Sequence, residues 1–307
     1  MQHKTYYSPI EHGIKHKGNV TVRELLELRQ SRLRTNTRKS NLSLIHHIED
    51  YSRTRLPVRE VDSNFCIGFG EYLVERVKAN SARTYLQKFH ALLQDAVRMG
   101  VLRTNPMPPI GEILPRYATP ERPFLTVSEI RRLEVSPCPH ENTKQAFLFA
   151  CHTGLRLSDI ETLRWGDLRK CNGRQMIVKI QVKTGREVRI PIDCYAQEIL
   201  SNQPGTSNKD GHIFDLHSRT IIAKDLRQWG DAAYIGKHVT FHVARHTFAT
   251  LMISQGISIY AVSQLCGHTD VKTTQIYASL IDPARFTAIE SLDNLFGYTK
   301  NVEPHAW

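Results

Sequence analysis

The chain has 307 residues, of which 40% are apolar and 23% charged, with a mean hydropathy of −0.37. That balance supports a packed core in about two domains and excludes wholesale disorder and collagen-like or coiled-coil chains. Lys and Arg number 41 against 30 Asp and Glu, a net charge of +11, and a surplus of this size points to a polyanionic partner, nucleic acid first.

Residues 1–18 read as an irregular basic tail. They lack the apolar stretch of a secretory signal, and no run in the chain approaches the ~20 apolar residues of a membrane span. Thr21 can cap a helix reaching about residue 34, with Val22, Leu25, Leu26 and Leu28 as its apolar face. Further helices are expected over 40–53, from Asp62 or Ser63 to about Lys78, and from Ser81 to Met99, where Gly100 stops the last. Four successive helices suggest a small bundle over 19–104. Most of the positive surplus lies in this half, densest from Arg29 to Lys39 (RQSRLRTNTRK). Six prolines between Asn105 and Pro123 then predict a stiff, irregular linker over 105–121 and a second domain over 122–307.

In the second domain Thr126 or Ser128 can cap a short helix, and a longer one is expected from Thr143 to His152, broken at Gly154. Another should start near Leu157 and end before Trp165. Residues 174–192 alternate, turn at Thr184-Gly185 and alternate again, which predicts a hairpin or part of a small antiparallel sheet with Met176, Val178, Ile180 and Val182 on one face. From Thr240 onward helices are expected over 242–255, 258–266, 271–280 and 283–296. The fold class is therefore mostly α with a small antiparallel sheet, in two domains. The six cysteines form no CxxC pair, so free thiols in a reducing, cytoplasmic setting are expected; Cys138-x-His140 and Cys151-His152 match no common zinc spacing, and no metal is expected.

Four segments set polar, reactive side chains in apolar surroundings. In TGLRLSDI, Arg156 and Asp159 are three apart on one helical face, an arginine fork held by a carboxylate or an ordinary ion pair. Lys183 stands at the hairpin turn, where lysines are usually only solvated. In FHVARHTFATL, His242 and Arg245 project from one turn, while His246 could lie nearer the apolar side. LCGHTDVKTTQIYA supplies His268 and Tyr277. Each has a plain structural explanation taken singly. As a set they match what attack on a phosphodiester needs: guanidiniums and imidazoles against developing negative charge, a proton source in Lys183 or a histidine, and a side-chain oxygen nucleophile. No carboxylate cluster suited to two Mg²⁺ ions is evident, which leaves Tyr277 as the natural nucleophile.

The order Arg156, Lys183, His242-x-x-Arg245, His268, Tyr277, carried by those stretches, resembles the tyrosine recombinase, or phage integrase, family, and FHVARHTFATL is most similar to its mobile-element integrases. The resemblance spans roughly 122–296 and, more loosely, the helical first domain, which is similar to the family's SAM-like core-site-binding module. It implies a site-specific recombinase in which Tyr277 attacks the scissile phosphate to give a 3′-phosphotyrosyl link and a free 5′-hydroxyl. Arg156 and Arg245 would clamp the phosphate and Lys183 would protonate the leaving oxygen. His242 and His268 would bind the phosphate or help deprotonate Tyr277, and Asp159 would support Arg156. It implies neither ATP nor a metal nor any other cofactor.

The implied partner is double-stranded DNA, gripped by both domains. Arg29, Arg32, Arg34, Arg38, Lys39, Arg83, Tyr85 and Lys88 are candidate contacts. Four protomers would assemble on two sites, coupled through a C-terminal helix near 283–296 whose stripe is Phe286, Ile289, Leu292, Leu295 and Phe296. Accessory DNA-bending or directionality proteins and a place at the bacterial nucleoid follow from the same resemblance. About twenty residues precede the bundle, too few for an arm-site-binding domain, which favours a resolvase, an invertase or an integrase without arm sites. Ala244 stands where Leu is common in the family, at a packing position. Two other classes fit parts of the pattern: a catalytically silent DNA-binding protein on the same scaffold, and a type IB topoisomerase that relaxes DNA as a monomer.

Overall fold

The computed structural model describes residues 20–30, 35–114, 122–171, 173–205 and 208–278. The chain divides into two compact units, Met1–Pro120 and Glu121–Trp307.

In the first unit α1 (Val22–Gln30) opens with a reciprocal cap. Thr21 N–H donates to Glu24, and Glu24 N–H donates to Thr21 Oγ1 at 3.2 Å. Next come α2 (Thr35–Ser52), α3 (Ser63–Arg76), α4 (Ala79–Arg98) and a single turn, α5 (Ile110–Ile113). Asp62 caps α3 by accepting from Phe65 N–H at 2.7 Å. Helix α4 starts before the expected Ser81, whose N–H bonds the Lys78 carbonyl inside the first turn. The expected start of α2 at residue 40 misses a polar first turn that carries no apolar signal. Leu25, Ile45, Ile48, Phe69, Leu73, Leu86 and Phe89 fill the core. The proline-rich stretch is not irregular throughout: Met107 and Leu114 are buried in that same core, with α5 between them.

The second unit runs α6 (Val127–Val135), α7 (Glu141–Thr153), α8 (Leu157–Ile160), β1 (Leu168–Cys171), β2 (Arg174–Ile180), β3 (Glu187–Pro191), α9 (Cys194–Ser201), α10 (Arg219–Ala232), α11 (Phe241–Ser254), α12 (Ile259–Cys266) and α13 (Lys272–Ala278). Thr126 and Glu129 form a capping box at α6. Strand β2 is central in an antiparallel sheet of order β1-β2-β3, with Ile177 opposite Leu168 and Ile190. Helix α7 is the spine. Phe147 packs edge-on against Trp229 and Phe241, and Trp229 Nε1 donates to the Leu133 carbonyl at 3.0 Å. The sequence reading lacked β1, α9 and α10. The expected helix over 283–296 lies outside the described residues.

The face shared by Met176, Val178, Ile180 and Val182 is the outward one. Ile177, Lys179 and Gln181 point inward, while Ile180 is 67% and Val182 50% exposed. The sheet turns polar side chains into the interior instead. Lys179 is satisfied there by Asp167 at 2.9 Å and the Thr162 carbonyl at 2.7 Å, and Gln181 serves the site described below. This register makes a prediction for urea unfolding: Ile177→Ala loses about 2–5 kcal/mol, whereas Ile180→Ala stays within roughly 0.5 kcal/mol of the parent. Equal losses at the two positions would refute the register.

Candidate active site

Two helix ends build the pocket. Helix α7 stops at Gly154 with φ +67°, where a Cβ would meet the Phe248 ring at 2.5 Å. Helix α12 stops at Gly267 with φ +63°, where a Cβ would meet Gln181 Oε1 at 2.5 Å and Val188 at 2.6 Å. Both places demand glycine on conformation and on space. The buried Arg245 of α11 joins them, donating from Nη1 to the Gly154 carbonyl at 2.6 Å and from Nη2 to the Cys266 carbonyl at 2.5 Å. Helix C-terminal carbonyls carry partial negative charge, so this is a favourable seat for a buried cation.

Arg156, the residue before α8, donates from Nη1 to Gln181 Oε1 at 2.8 Å. Gln181 also accepts from Thr184 Oγ1 at 2.9 Å and donates to the Cys266 carbonyl at 3.0 Å. One amide thus connects the first arginine, the hairpin turn and the carbonyl that holds the second arginine. Asp159 is fully buried; its Oδ1 accepts from Val182 N–H at 2.8 Å, and its Oδ2 lies 3.9 Å from Arg156. Its direct hydrogen bond therefore goes to the hairpin, while Arg156 receives its charge at longer range. Lys183 occupies the turn that Asp159 and Thr184 fix, and Arg186, just beyond, donates to the His268 carbonyl at 3.4 Å.

Three histidines share this environment and all are held toward the neutral form. Burial pushes His268 down to about 3, helped by Arg245 and Arg156. Burial pushes His246 down to about 4, with Arg122, His242 and Arg245 adding to it. His242 is lowered by desolvation first and then by Lys183, Arg245 and Arg156. His268 Nδ1 lies 2.7 Å from Thr274 Oγ1, so that ring nitrogen is engaged by the hydroxyl. Tyr277, on α13, is 1% exposed, and its hydroxyl stands 2.6 Å from His246 Nδ1. Burial raises the phenol, Cys266 raises it further, and Arg245 and Arg122 lower it.

The structure therefore brings Arg156, Lys183, His242, Arg245, His268 and Tyr277 into one neighbourhood, with Asp159 beneath it. Gln181, Thr184, Thr274, His246 and Arg122 belong there too and were not anticipated. Their signals were faint: Gln181 sits at the inward parity of β2, and His246 follows Arg245 directly. Among the described residues no group of three His, Cys, Asp or Glu side chains stands together as metal ligands would.

The other candidate contacts lie in the first unit. Arg29 pairs with Asp95 at 3.1 Å, Arg83 donates to the Leu114 carbonyl at 3.2 Å, Lys88 bonds Ser40, and the Tyr85 ring lies 5.0 Å from His47. Arg38 and Lys39 are exposed; Arg32 and Arg34 lie outside the described residues.

Comparison with known proteins completes the picture. The phage integrase family model matches residues 123–282, and the phage integrase SAM-like domain model matches 19–113. A tyrosine recombinase of Thermosipho africanus is 27% identical over 73% of this chain and 80% of its own length. The tyrosine recombinase XerC of Haemophilus influenzae is 30% identical over 66% of this chain and 72% of its own. The fold is that of the Tn1549 transposon integrase in complex with a circular intermediate DNA (TM-score 0.66, 17% identity, 84% and 94% of the two chains). It is equally that of a lambda integrase dimer bound to a core site (TM-score 0.65, 20% identity, 88% and 81%). The chain belongs to the phage integrase family, and it is a tyrosine recombinase.

The neutral histidines give a stability prediction. A histidine whose folded pKa lies below its unfolded value contributes stability that is full above about 6.5 and is lost as the pH falls from there toward the folded value. His268→Asn should accordingly lose less of its urea midpoint than the parent between about pH 7 and pH 4. Parallel losses would show that His268 is not held neutral.

Proposed function

We propose that this family member cuts and rejoins double-stranded DNA with Tyr277 as nucleophile and Arg156, Arg245, Lys183, His242 and His268 as its phosphate-binding and proton-transfer groups. The observation that carries this reading is electrostatic. Arg156, Arg245 and Arg122 act on the Tyr277 phenol, Lys183 acts on the neighbouring His242, three imidazoles share the pocket, and among the described residues the carboxylate tied to them, Asp159, is occupied with the hairpin. Such a set is deficient in negative charge, and a phosphodiester supplies it.

In the step that follows, the Tyr277 Oη–P bond forms while the P–O5′ bond breaks. The two guanidiniums bind the nonbridging oxygens, His242 and His268 add neutral donors, and Lys183, on its turn, delivers a proton to the departing O5′. The phosphotyrosyl link conserves the energy of the bond, so religation by a 5′-hydroxyl is the reverse step and consumes no nucleotide. Since Tyr277 is 1% exposed, attack requires the side chains covering the phenol to part and admit the scissile phosphate while the phenol keeps its place beside His246.

In the first unit the exposed Arg38 and Lys39, with Arg32 and Arg34, contact phosphates. Arg29, Arg83 and Lys88, engaged by their own unit, contribute chiefly to the field. Tyr85, half-buried with its ring 5.0 Å from that of His47, joins them as a DNA contact. Protomers pair on DNA through the 283–296 segment and act as a tetramer at the bacterial nucleoid, in the cytoplasm, and accessory DNA-bending or directionality proteins select the outcome.

A nicked suicide duplex that traps the covalent complex tests the proposal. Parent protein should accumulate a protein–DNA adduct; Tyr277→Phe should bind the duplex with unchanged affinity and form none. Arg156→Ala and Arg245→Ala should slow adduct formation by at least about 10³-fold. Absence of an adduct with the parent protein would favour a silent binder. Relaxation of supercoils without sequence preference would favour a topoisomerase.

A further inference from the structure

The roles above leave open where the phenol's proton goes. We infer that His246 is a catalytic residue, the acceptor of the Tyr277 proton, and that neither His242 nor His268 takes that part. The inference rests on the reading of Tyr277 as nucleophile.

Geometry separates the three imidazoles. His246 Nδ1 lies 2.6 Å from Tyr277 Oη, within direct proton-transfer distance, with the two rings 5.4 Å apart and tilted by 51°. His268 has the corresponding nitrogen engaged by Thr274 at 2.7 Å rather than by the phenol. His242 is the imidazole next to Lys183, and its ring centre lies 6.4 Å from that of His246. Helical spacing explains the division. His242 and Arg245 are three apart, whereas His246 is one residue further round α11, on the side that packs against α13 and Tyr277.

The charges around the pair agree with the role. Arg122 ahead of α6, His242 and Arg245 on α11, and His268 after α12 all face His246 or Tyr277. With a neutral His246, Nδ1 offers its lone pair to the phenol and Nε2 carries the proton. Arg122 and Arg245 both favour the phenolate. The same cations depress the basicity of His246 while the site is empty. An incoming phosphodiester offsets their field, so His246 gains proton affinity only when there is a phosphorus to attack. Proton transfer then accompanies bond formation: Oη–P forms, the phenolic proton passes to Nδ1, and P–O5′ breaks as Lys183 protonates O5′.

Single-turnover adduct formation decides the matter, measured with saturating full-length protein on the nicked duplex. A second duplex carries a bridging 5′-phosphorothiolate at the scissile position, whose thiolate leaves without a proton. Two variants are compared: His246→Phe, and His246→Gln, which keeps a polar side chain beside the phenol and serves if the phenylalanine variant misfolds. Both should bind the duplex like the parent and form adduct roughly 10²–10⁴-fold more slowly at neutral pH. The phosphorothiolate should restore Lys183→Ala but neither His246 variant, and the deficit should shrink as the pH rises toward the phenol's own ionisation.

Rates within about threefold of the parent, faster adduct formation, rescue by the phosphorothiolate, or a normal His246→Gln beside an impaired His246→Phe would each overturn the assignment and leave the bond a mere anchor for the phenol. Failure of the parent itself to form an adduct would instead remove the underlying reading of Tyr277.

Discussion

A buried guanidinium held by two helix ends is the constraint on which the rest of the catalytic unit depends. Among the described residues Arg245 has no carboxylate partner within bonding distance; its charge rests on the carbonyls of Gly154 and Cys266. Each carbonyl is presented by a chain reversal that only glycine fits, because the backbone is left-handed there and the space beyond is occupied by Phe248 or by Gln181 and Val188. Two of the five guanidinium donors are thereby committed, and that commitment fixes the plane in which the others lie. The arginine therefore fastens α7, α11 and α12 to one another and also orients itself. A lysine could not do both, having a point charge where the planar fork is needed.

The hairpin is attached to this frame by polar groups that a strand would normally keep outside. Asp159 holds the Val182 amide, and Gln181 holds Arg156, Thr184 and the Cys266 carbonyl. Burying them costs solvation, which the hydrogen bonds must offset. The return is that Lys183, on an exposed turn, is carried by backbone whose two sides are anchored. A lysine on an unanchored turn would spend most of its time in solvent.

Much of this was legible in the sequence, and the failures have physical causes. Helix caps at Thr21, Asp62 and Thr126 were readable because a polar residue before an apolar periodic run has few other uses. The recombinase motifs were readable because their order is distinctive. The alternation put Met176, Val178, Ile180 and Val182 on one face but did not tell which face is buried: Lys179 and Gln181 turn inward and Ile180 outward. Helix α10 left a trace in Ile222, Leu226 and Trp229, spaced for one helical face, and could have been found. Gln181 and Arg122 could not, since their significance arises from residues distant in sequence. His246 was visible as a residue but not as a partner of Tyr277, thirty-one positions away.

With Tyr277 in the proposed role of nucleophile, the arrangement also explains how the phenol can be stored safely. Tyr277 lies in the interior, its phenol raised by burial, and the imidazole beside it is kept a weak base by burial first and then by Arg122 and Arg245. Adding a phosphodiester changes three quantities together: it neutralises part of that field, it strengthens the imidazole as a base, and it supplies the electrophile. A free phenolate in an empty site would have to be stabilised against water at all times. Here the stabilisation is needed only in the presence of the substrate charge, so the same cations restrain the nucleophile before binding and assist it afterward.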